Sequence, residues 1–348
     1  MRHTILPALL ILAVLVPLRH NVSASEPAVL YVYTWEGYFS PVAISDFEKK
    51  YGCRVEFDHY DSNEIMFEKM RAGNAGYDII TPSSPVAASL NHGGYLLGLD
   101  HSLLSNLKNI DVDTIASVQD RENTYSVPYT VAITGIGYDK TQVPADALGS
   151  WNILADERLT GRVTMINDMR EALGAALRHL GYSVNSVDPS EIDAATRVLR
   201  GWKKNLAMFS VDQAKIGLRD GQYAAIQAYN GDVALVMEEN PDIEFFVPRE
   251  GAPLNSDLLV IGADTAAPRL AHAFINHFLD PDVAAINMKH IRYTMPNIPA
   301  REKMDAEWQN NSAFNIPPET LSASEVILNI GSHRSLYDKA WEETLIGE

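Results

Sequence analysis

The feature that most constrains the fold is a long extended stretch, Tyr125–Tyr138, which is rich in β-branched and aromatic residues. It contains Pro128, Gly135 and Gly137. Proline cannot donate a hydrogen bond within a sheet, and glycine tolerates bends that other residues resist. We interpret the stretch as a strand that leaves one domain and enters a second, with the glycines allowing the bend.

The pattern on both sides of this strand is that of an α/β protein. Short apolar strands alternate with helices, which calls for a mainly parallel sheet covered on both faces. A second crossing is predicted at Asn255–Ile261, where a new apolar strand begins. We expect one domain over residues 26–133 plus 256–302 and the other over residues 134–255 plus 303–348.

The remaining predicted elements follow from periodicity, capping residues and chain breakers. The strands are Val29–Tyr33, Arg54–Tyr60, Asp78–Thr81, Arg162–Ile166, Ala224–Ala228 and Ile243–Val247. The helices are Ser40–Gly52, Asn63–Ala72, Met169–Leu180, Glu191–Lys204, Pro268–Leu279 and Ser332–Glu343, and Tyr293–Ala300 is predicted to be extended.

The first residues have the composition of an export signal. Arg2 and His3 precede an apolar run over residues 5–16, and Val22-Ser23-Ala24 offers small residues for cleavage. The run is short for a membrane span, and no later segment approaches the roughly 20 apolar residues that a span needs. We expect residues 1–24 to be removed and the mature chain to be soluble and exported, and the family resemblance described below implies the periplasm as its compartment.

The acidic composition disfavours nucleic acid as a partner. The formal net charge is −17, and removal of the signal, which holds Arg2 and Arg19 but no acid, would make it −19. Such a surface repels phosphates and attracts cations. Cys53 is the only cysteine, so an intrachain disulfide and a cysteine-rich metal site are excluded, and we expect a small buried residue there.

Signatures of catalysis are missing from the sequence. There is no Gly-x-Ser-x-Gly, no His-Glu-x-x-His and no phosphate-binding loop. His272 and His277 are five residues apart on a predicted helix, which is poor spacing for a metal site. We therefore predict a protein that is not an enzyme and that holds no cofactor or metal ion.

A candidate cation site follows the first strand. The loop after Val29–Tyr33 carries Trp35, Glu36 and Tyr38. Ligands of open α/β sheets bind beyond the carboxyl ends of the strands, and two aromatic faces with a carboxylate suit a cation. The alternative is that Trp35 and Tyr38 only cap the core of this first strand and helix.

Short motifs occur in a fixed order along the chain. They are Tyr33-Thr34-Trp35-Glu36-Gly37-Tyr38, Asp61-Ser62-Asn63-Glu64, Tyr77-Asp78-Ile79-Ile80-Thr81-Pro82-Ser83, Tyr125-Ser126-Val127-Pro128-Tyr129, Asp168-Met169-Arg170-Glu171, Asn230-Gly231-Asp232, Ser256-Asp257 and Tyr293-Thr294-Met295-Pro296-Asn297. In this order and spacing they resemble the periplasmic spermidine/putrescine-binding proteins of ABC transporters over essentially the whole mature chain. The resemblance implies a two-lobed type II periplasmic-binding-protein fold, with a mainly parallel sheet flanked by helices in each lobe and hinge strands between the lobes.

A polyamine makes specific demands on its site. Its amines are cationic at neutral pH and are separated by methylene spacers, so carboxylates must lie at the amine spacing with apolar or aromatic walls between them. A cation over an aromatic ring gains roughly 0.5 to 2 kcal/mol. Burial of an unpaired ammonium costs more than that, so carboxylates must recognise the charge.

The resemblance assigns roles to individual residues. Trp35 and Tyr38 match aromatic walls, and Asp168 with Glu171 match an acidic pair that holds an amine. The alternative for this pair is a capping box at the start of the helix that follows. Ser83 also falls within a matching motif and is included among the expected ligand contacts.

Four further positions match residues that contact the amine. Tyr229 and Tyr293 match aromatic residues, with ordinary packing as the alternative for Tyr293. Asp232 matches a carboxylate of the putrescine-binding members, with an N-cap as its alternative. Asp257 matches the acid that meets an amine from the first lobe, with a solvated acid at the end of a strand as its alternative.

Three positions depart from the family pattern. Asn255 stands where the family usually has Trp or Phe, Pro85 stands where it has Tyr or Ser, and Ile327 replaces a glutamine that holds a terminal amine. We expect Asn255 still to face the ligand, in a site with fewer aromatic walls. These departures bear on which amine the site selects.

The resemblance implies an extracytoplasmic polyamine-binding protein that delivers its ligand to an ABC permease, acting as a monomer. The alternative is a periplasmic polyamine sensor that docks on a membrane signalling protein instead. Both roles use the same fold and the same ligand. Neighbouring genes would separate them, since permease genes favour transport and a signalling gene favours sensing.

Overall fold

The computed structural model describes residues 27–60, 62–73, 75–111, 113 and 118–346. The predicted export signal over residues 1–24 lies outside the described residues, and so does Asp61. No helix among the described residues is long and apolar enough to cross a membrane.

Helices and strands alternate through most of the described chain. The strands are β1 (Ala28–Thr34), β2 (Cys53–His59), β3 (Ile79–Ile80), β4 (Leu96–Leu97), β5 (Ser126–Asp139), β6 (Val163–Met165), β7 (Leu206–Phe209), β8 (Ala225–Tyr229), β9 (Ile243–Phe246), β10 (Pro253–Gly262) and β11 (Glu325–Val326). The α-helices are α1 (Pro41–Tyr51), α2 (Asn63–Arg71), α3 (Ser84–His92), α4 (Met169–His179), α5 (Pro189–Lys203), α6 (Asp212–Arg219), α7 (Asn230–Glu239), α8 (Pro268–Phe278), α9 (Pro281–Ile291), α10 (Ile298–Glu302), α11 (Ala306–Asn310), α12 (Pro318–Ser322) and α13 (Arg334–Ile346).

Two long strands, β5 and β10, lie at the centre of the sheet order β2-β1-β3-β10-β5-β8-β6-β7. Strands β1, β2 and β3 pair in parallel on one side, and β6, β7 and β8 pair in parallel on the other. Strands β5 and β10 pair antiparallel with each other and with their outer neighbours β8 and β3. The long strand predicted over Tyr125–Tyr138 is therefore confirmed as the connection between two parallel groups.

The hydrophobic core is divided in the same way. One cluster is built from side chains of β6, β8 and helices α4 to α7, together with Tyr337 of α13. Two further clusters contain side chains of β1, β3 and helices α1 to α3, α8 and α9. We call the part that contains β1 to β4, α1 to α3 and α8 to α11 the first lobe, and the part that contains β6 to β9, α4 to α7 and α13 the second lobe. Met304 and Trp308 pack in a first-lobe cluster, although they follow residue 302.

The two glycines of β5 have a different role from the one expected. Neither Gly135 nor Gly137 has a positive φ. A Cβ atom at Gly135 would lie 2.5 Å from the ring of Phe245, and one at Gly137 would lie 2.8 Å from Val233. These glycines are needed because β9 and α7 pack against the strand at close range, rather than for the bend that the sequence suggested.

Most predicted elements are confirmed, including α1, which begins after Ser40 and ends at Gly52 in the left-handed conformation with φ of 62°. The sequence patterns did not predict the helices α6, α7, α9, α11 and α12 or the strands β4, β7 and β11. They also indicated that Tyr293–Ala300 is extended throughout, whereas α10 begins at Ile298 with Asn297 as its N-cap. Proline at the first turn explains the errors at α9 and α10, since proline is favoured at the first turn of a helix although it breaks a helix interior.

Candidate functional site

A bulge in the crossing strands positions the first carboxylate. The register of β5 against β10 shifts between Asp257 and Leu258, which pair with Thr130 and Pro128 and leave Tyr129 without a partner in the ladder. Such a bulge changes the direction of neighbouring side chains, and proline favours it because it has no N–H to donate. Asp257 lies within β10 beside Thr130, so the alternative of a solvated acid at a strand end is wrong.

Tyr38 joins this carboxylate to the loop after β1. Its hydroxyl group lies 2.5 Å from Oδ2 of Asp257, to which it donates, and 2.6 Å from Oγ1 of Thr130. The unpaired Tyr129 donates its own hydroxyl to the backbone carbonyl of Tyr38 at 2.9 Å and so fixes the loop. Burial and the charge of Asp257 raise the pKa of Tyr38 well above its usual value. The tyrosine therefore stays a hydrogen-bond donor to the acid.

Asp257 is a carboxyl group in a poorly hydrated position. Burial raises its pKa to about 6, and the hydrogen bond from Tyr38 offsets only part of this effect. An acid with such a pKa is mostly ionised at neutral pH, but its negative charge is incompletely solvated. A cation placed beside it would be strongly favoured.

Aromatic rings line the first-lobe side of this acid. The ring of the half-buried Trp35 lies 4.4 Å from the ring of Tyr60 in an edge-to-face arrangement. Tyr60 donates its hydroxyl to the carbonyl of Thr81 at 2.7 Å, and burial followed by the charge of Asp257 raises its pKa well above the usual value. Tyr60 therefore belongs to the site, although the sequence analysis did not select it. It directly follows β2, so the rule on the carboxyl ends of strands would have found it.

The start of helix α4 brings the second pair of acids. Asp168 is its N-cap and accepts hydrogen bonds from the backbone N–H groups of Arg170 at 2.8 Å and Glu171 at 3.1 Å. The side chain of Glu171 does not return to the helix start as a capping box requires, but accepts a hydrogen bond from Nδ2 of Asn255 at 3.2 Å. Helix capping therefore explains the orientation of the Asp168 side chain, but it does not explain the orientation of the Glu171 side chain.

Glu171 is a fully buried carboxyl group. Burial and the charge of Asp168 raise its pKa to about 8, while the hydroxyl groups of Thr134 and Tyr229 lower it in part. Its Oε2 atom has no hydrogen-bond partner among the described residues. A buried acceptor without a donor is costly, so this atom is suited to receive a charged donor from a ligand.

Two tyrosines connect the acids of the two lobes. The pKa of Tyr229 is raised well above its usual value by burial and then by the charges of Glu171 and Asp168. The pKa of Tyr293 is raised in the same way by burial and then by Asp232 and Asp257. The predicted residues Tyr38, Asp168, Glu171, Tyr229, Asp232, Asn255, Asp257 and Tyr293 therefore surround one region between the lobes.

Asp232 has a partner that the sequence did not reveal. The N-cap position of α7 is Tyr229, so the interpretation of Asp232 as an N-cap is wrong. The Oδ1 atom of Asp232 instead forms an ion pair with Nζ of Lys215 on α6 at 3.3 Å. Burial raises the pKa of Asp232, and Lys215 opposes that rise.

The structure places two other predicted residues at the edge of this region. Glu36 is exposed to solvent. Ser83 is buried, and its backbone forms an isolated bridge with Asp257 at the start of α3. Its backbone N–H donates to Oδ1 of Asn63 at 3.2 Å. Ser83 therefore helps to hold β10 in place. Glu36 is a surface side chain.

The departures at Pro85 and Ile327 both involve the segment that follows β11. Pro85 is in the first turn of α3, and its carbonyl accepts a hydrogen bond from Nδ2 of Asn329 at 3.3 Å. The same Nδ2 atom lies 2.7 Å from Oγ of Ser89. Ile327 is buried, and its backbone N–H donates to the carbonyl of Leu254 at 2.9 Å. Pro85 therefore contacts the segment after β11, and Ile327 joins that segment to β10.

The two histidines considered in the sequence make hydrogen bonds with backbone groups. His272 accepts from the backbone N–H of Asp100 at 2.9 Å, and His277 contacts the carbonyl of Ala43 at 3.0 Å. Across the described ranges, no group of three or more His, Cys, Asp or Glu side chains could hold a metal ion. Cys53 is buried at the start of β2, as expected.

Comparison with known proteins agrees with this architecture. Residues 42–316 match the model of the bacterial extracellular solute-binding protein family. The spermidine/putrescine-binding periplasmic protein of Escherichia coli is 31% identical over 325 residues, which cover 93% of this chain and 93% of that protein. The putrescine/cadaverine-binding protein of Pseudomonas aeruginosa is 31% identical over 350 residues, which cover 96% of this chain and 98% of that protein.

The solved structures support the same conclusion about the fold. The spermidine/putrescine ABC transporter substrate-binding protein PotD of Streptococcus pneumoniae superposes with a TM-score of 0.84 at 28% identity, covering 92% of this chain and 99% of that chain. The TpPotD lipoprotein of Treponema pallidum gives a TM-score of 0.84 at 30% identity, covering 91% and 99%. The two-lobed fold predicted from the sequence is therefore confirmed.

Proposed function

Because this chain belongs to the bacterial extracellular solute-binding protein family, we propose that it binds a polyamine of the spermidine/putrescine class and delivers it to an ABC permease. Relatives that align over nearly the whole chain are named for binding spermidine, putrescine or cadaverine. Their names also place several of them in the periplasm. We propose the same compartment here, with cleavage near Ala24 and a monomeric mature protein.

The observation that carries this proposal is a pair of poorly hydrated carboxyl groups between the lobes. Asp257 and Glu171 have pKa values raised to about 6 and about 8 by burial. Neither has an arginine or lysine side chain as a hydrogen-bonding partner among the described contacts. A fully buried acid and a partly buried one, neither with a resident cation, are suited to bind a ligand that carries an ammonium group at each end.

Aromatic side chains supply the walls that such a ligand needs. We propose that Trp35 and Tyr38 from the first lobe and Tyr229 and Tyr293 from the region between the lobes contact its methylene groups and its ammonium groups. Each cation over an aromatic face would add roughly 0.5 to 2 kcal/mol. Asn255, which holds Glu171 through its amide, supplies a polar contact where an aromatic ring would otherwise add to this wall.

The role of the remaining predicted residues follows from their positions. We propose that Asp168 adds negative charge beside Glu171, that Ser83 acts through Asp257, and that the exposed Glu36 attracts cations at the mouth of the cleft. We propose lobe boundaries near those expected from the sequence, with the stretch around Met304 and Trp308 assigned to the first lobe. We further propose that the protein binds its ligand without catalysis or cofactor. No observation favours the sensor role over transport.

Isothermal titration calorimetry tests the proposal. The chain from residue 25 onward, unfolded and refolded to strip any carried ligand, is titrated with putrescine, spermidine, norspermidine, spermine and agmatine. We expect saturable one-to-one binding of at least one of these amines. Butylamine, which has one ammonium group, is the matched control and should bind much more weakly because it satisfies only one acid. Absence of heat across the whole panel would refute the proposal.

A further inference from the structure

Lys215 places a positive charge next to the proposed ligand region. Its Nζ atom lies 3.3 Å from Oδ1 of Asp232 and 3.1 Å from Oδ1 of Asp212. The side chain of Asp212 is 86% exposed, whereas those of Lys215 and Asp232 are 27% and 15% exposed. The pair with Asp232 is therefore the one that is largely removed from water, and its charge interaction is the stronger one.

Asp232 belongs to the same region as the other two acids. Besides burial, the charges of Asp232 and Asp257 both raise the pKa of Tyr293. Tyr293 packs directly on the start of α7, because a Cβ atom at Gly231 would lie 2.8 Å from its ring and 2.5 Å from the carbonyl of Arg292. Only a glycine allows this approach, and Asp232 is the next residue along the helix.

The three acids thus differ in whether the chain itself neutralises them. Glu171 accepts from the uncharged amide of Asn255, and Asp257 accepts from the uncharged hydroxyl group of Tyr38. Asp232 already has an ammonium group beside it, supplied by Lys215. A third ligand ammonium that approached Asp232 would meet a like charge, and like charges brought together are strongly unfavourable at an interface.

We propose that Lys215 is an internal cation that takes the place of a ligand ammonium at Asp232, so that the cleft selects diamines over triamines. This inference rests on the proposed function and names the ligand class within it. A diamine satisfies Glu171 and Asp257 and leaves the Lys215–Asp232 pair intact. A triamine of the spermidine type carries a third ammonium group, and at Asp232 this group would have to displace Lys215.

Calorimetric titration of wild-type protein and of Lys215→Met with putrescine and spermidine tests this role. We expect the wild-type protein to bind putrescine more tightly than spermidine. Lys215→Met frees Asp232, so the ratio of the spermidine Kd to the putrescine Kd falls by at least about tenfold. Lys289→Met is the matched control, since it removes the same charge from an exposed pair with Asp305 and leaves the ratio unchanged.

A second variant, Asp232→Asn, tests the role of Lys215 independently of Lys215→Met. Asp232→Asn leaves the ammonium group of Lys215 unpaired in the cleft, so it weakens the binding of both amines, and adding Lys215→Met to it restores putrescine binding. Wild-type preference for spermidine, an unchanged ratio in a folded Lys215→Met, or unchanged affinities in Asp232→Asn would each overturn the proposal. If wild type binds neither amine, the proposed function itself fails. If it binds them and the variants behave as wild type, only the role of Lys215 fails.

Discussion

Asp257→Asn is expected to weaken the binding of the preferred amine by more than a hundredfold. The substitution keeps the shape of the side chain and an oxygen that can accept from Tyr38, whose hydroxyl lies 2.5 Å away. It removes the negative charge that would face a buried ammonium group. Loss of one partner from a buried charged pair costs about 3 kcal/mol, which is more than a hundredfold in Kd. Isothermal titration calorimetry of the variant measures this loss.

The same variant is expected to fold as well as the wild type does. The pKa of Asp257 is raised by burial, so its ionised form is unfavourable in the folded protein, and an amide removes that cost. Asp264→Asn is the matched control, because Asp264 is exposed just after the far end of β10. It should alter neither binding nor the melting temperature. Undiminished amine binding by Asp257→Asn would contradict the role that we propose for this acid.

Glu171→Gln is expected to weaken amine binding and to remove most of its pH dependence. A hydrogen bond to a charged group contributes about 2 kcal/mol, so the loss should be roughly thirtyfold in Kd. The pKa of Glu171 is raised to about 8, so an ammonium ligand must displace its proton at neutral pH. The affinity of the wild type should therefore rise by up to about tenfold per pH unit between about 6 and 8. Calorimetric titrations at several pH values test whether the affinity of the variant lacks this rise in the upper part of the pH range from about 6 to 8.

The stability of the wild type should depend on pH through Glu171, and Glu171→Gln should lack this dependence. Below the pKa of about 8, folded Glu171 keeps a proton that the unfolded chain releases above about 4.5. The free energy of unfolding of the wild type therefore falls as the pH rises through this window, by up to about 1.4 kcal/mol per pH unit from this group. Glu171→Gln removes this contribution, so the variant should be increasingly more stable than the wild type towards pH 8. Urea unfolding at pH 5 and pH 8 measures the difference, and an equal stability difference at both would contradict the burial argument.

The sequence was sufficient for the part of the site that follows from local rules. The position of the loop with Trp35 and Tyr38 follows from the strand before it, since ligands bind beyond the carboxyl ends of strands. The capping role of Asp168 also follows from its position before an amphipathic helix. These features depend on residues that are close in sequence, which is why a pattern of a few residues predicts them.

The contacts that decide the chemistry depend on residues that are distant in sequence. Asn255 reaches Glu171 from another strand, and the Tyr38–Asp257 pair depends on the bulge between two paired strands. Lys215 reaches Asp232 from α6, a helix that the sequence analysis did not predict. No local pattern specifies such partners, so the sequence predicts candidate acids but not which of them the chain already neutralises.

The most direct test of the central claim is a crystal structure of the protein with its preferred amine. We expect one ammonium nitrogen about 2.7 to 3.0 Å from a carboxylate oxygen of Asp257 and a second nitrogen at a similar distance from Oε2 of Glu171. The methylene chain between them should lie against Trp35 and Tyr229. An amine bound elsewhere, or bound between the lobes without contact to either acid, would contradict the account.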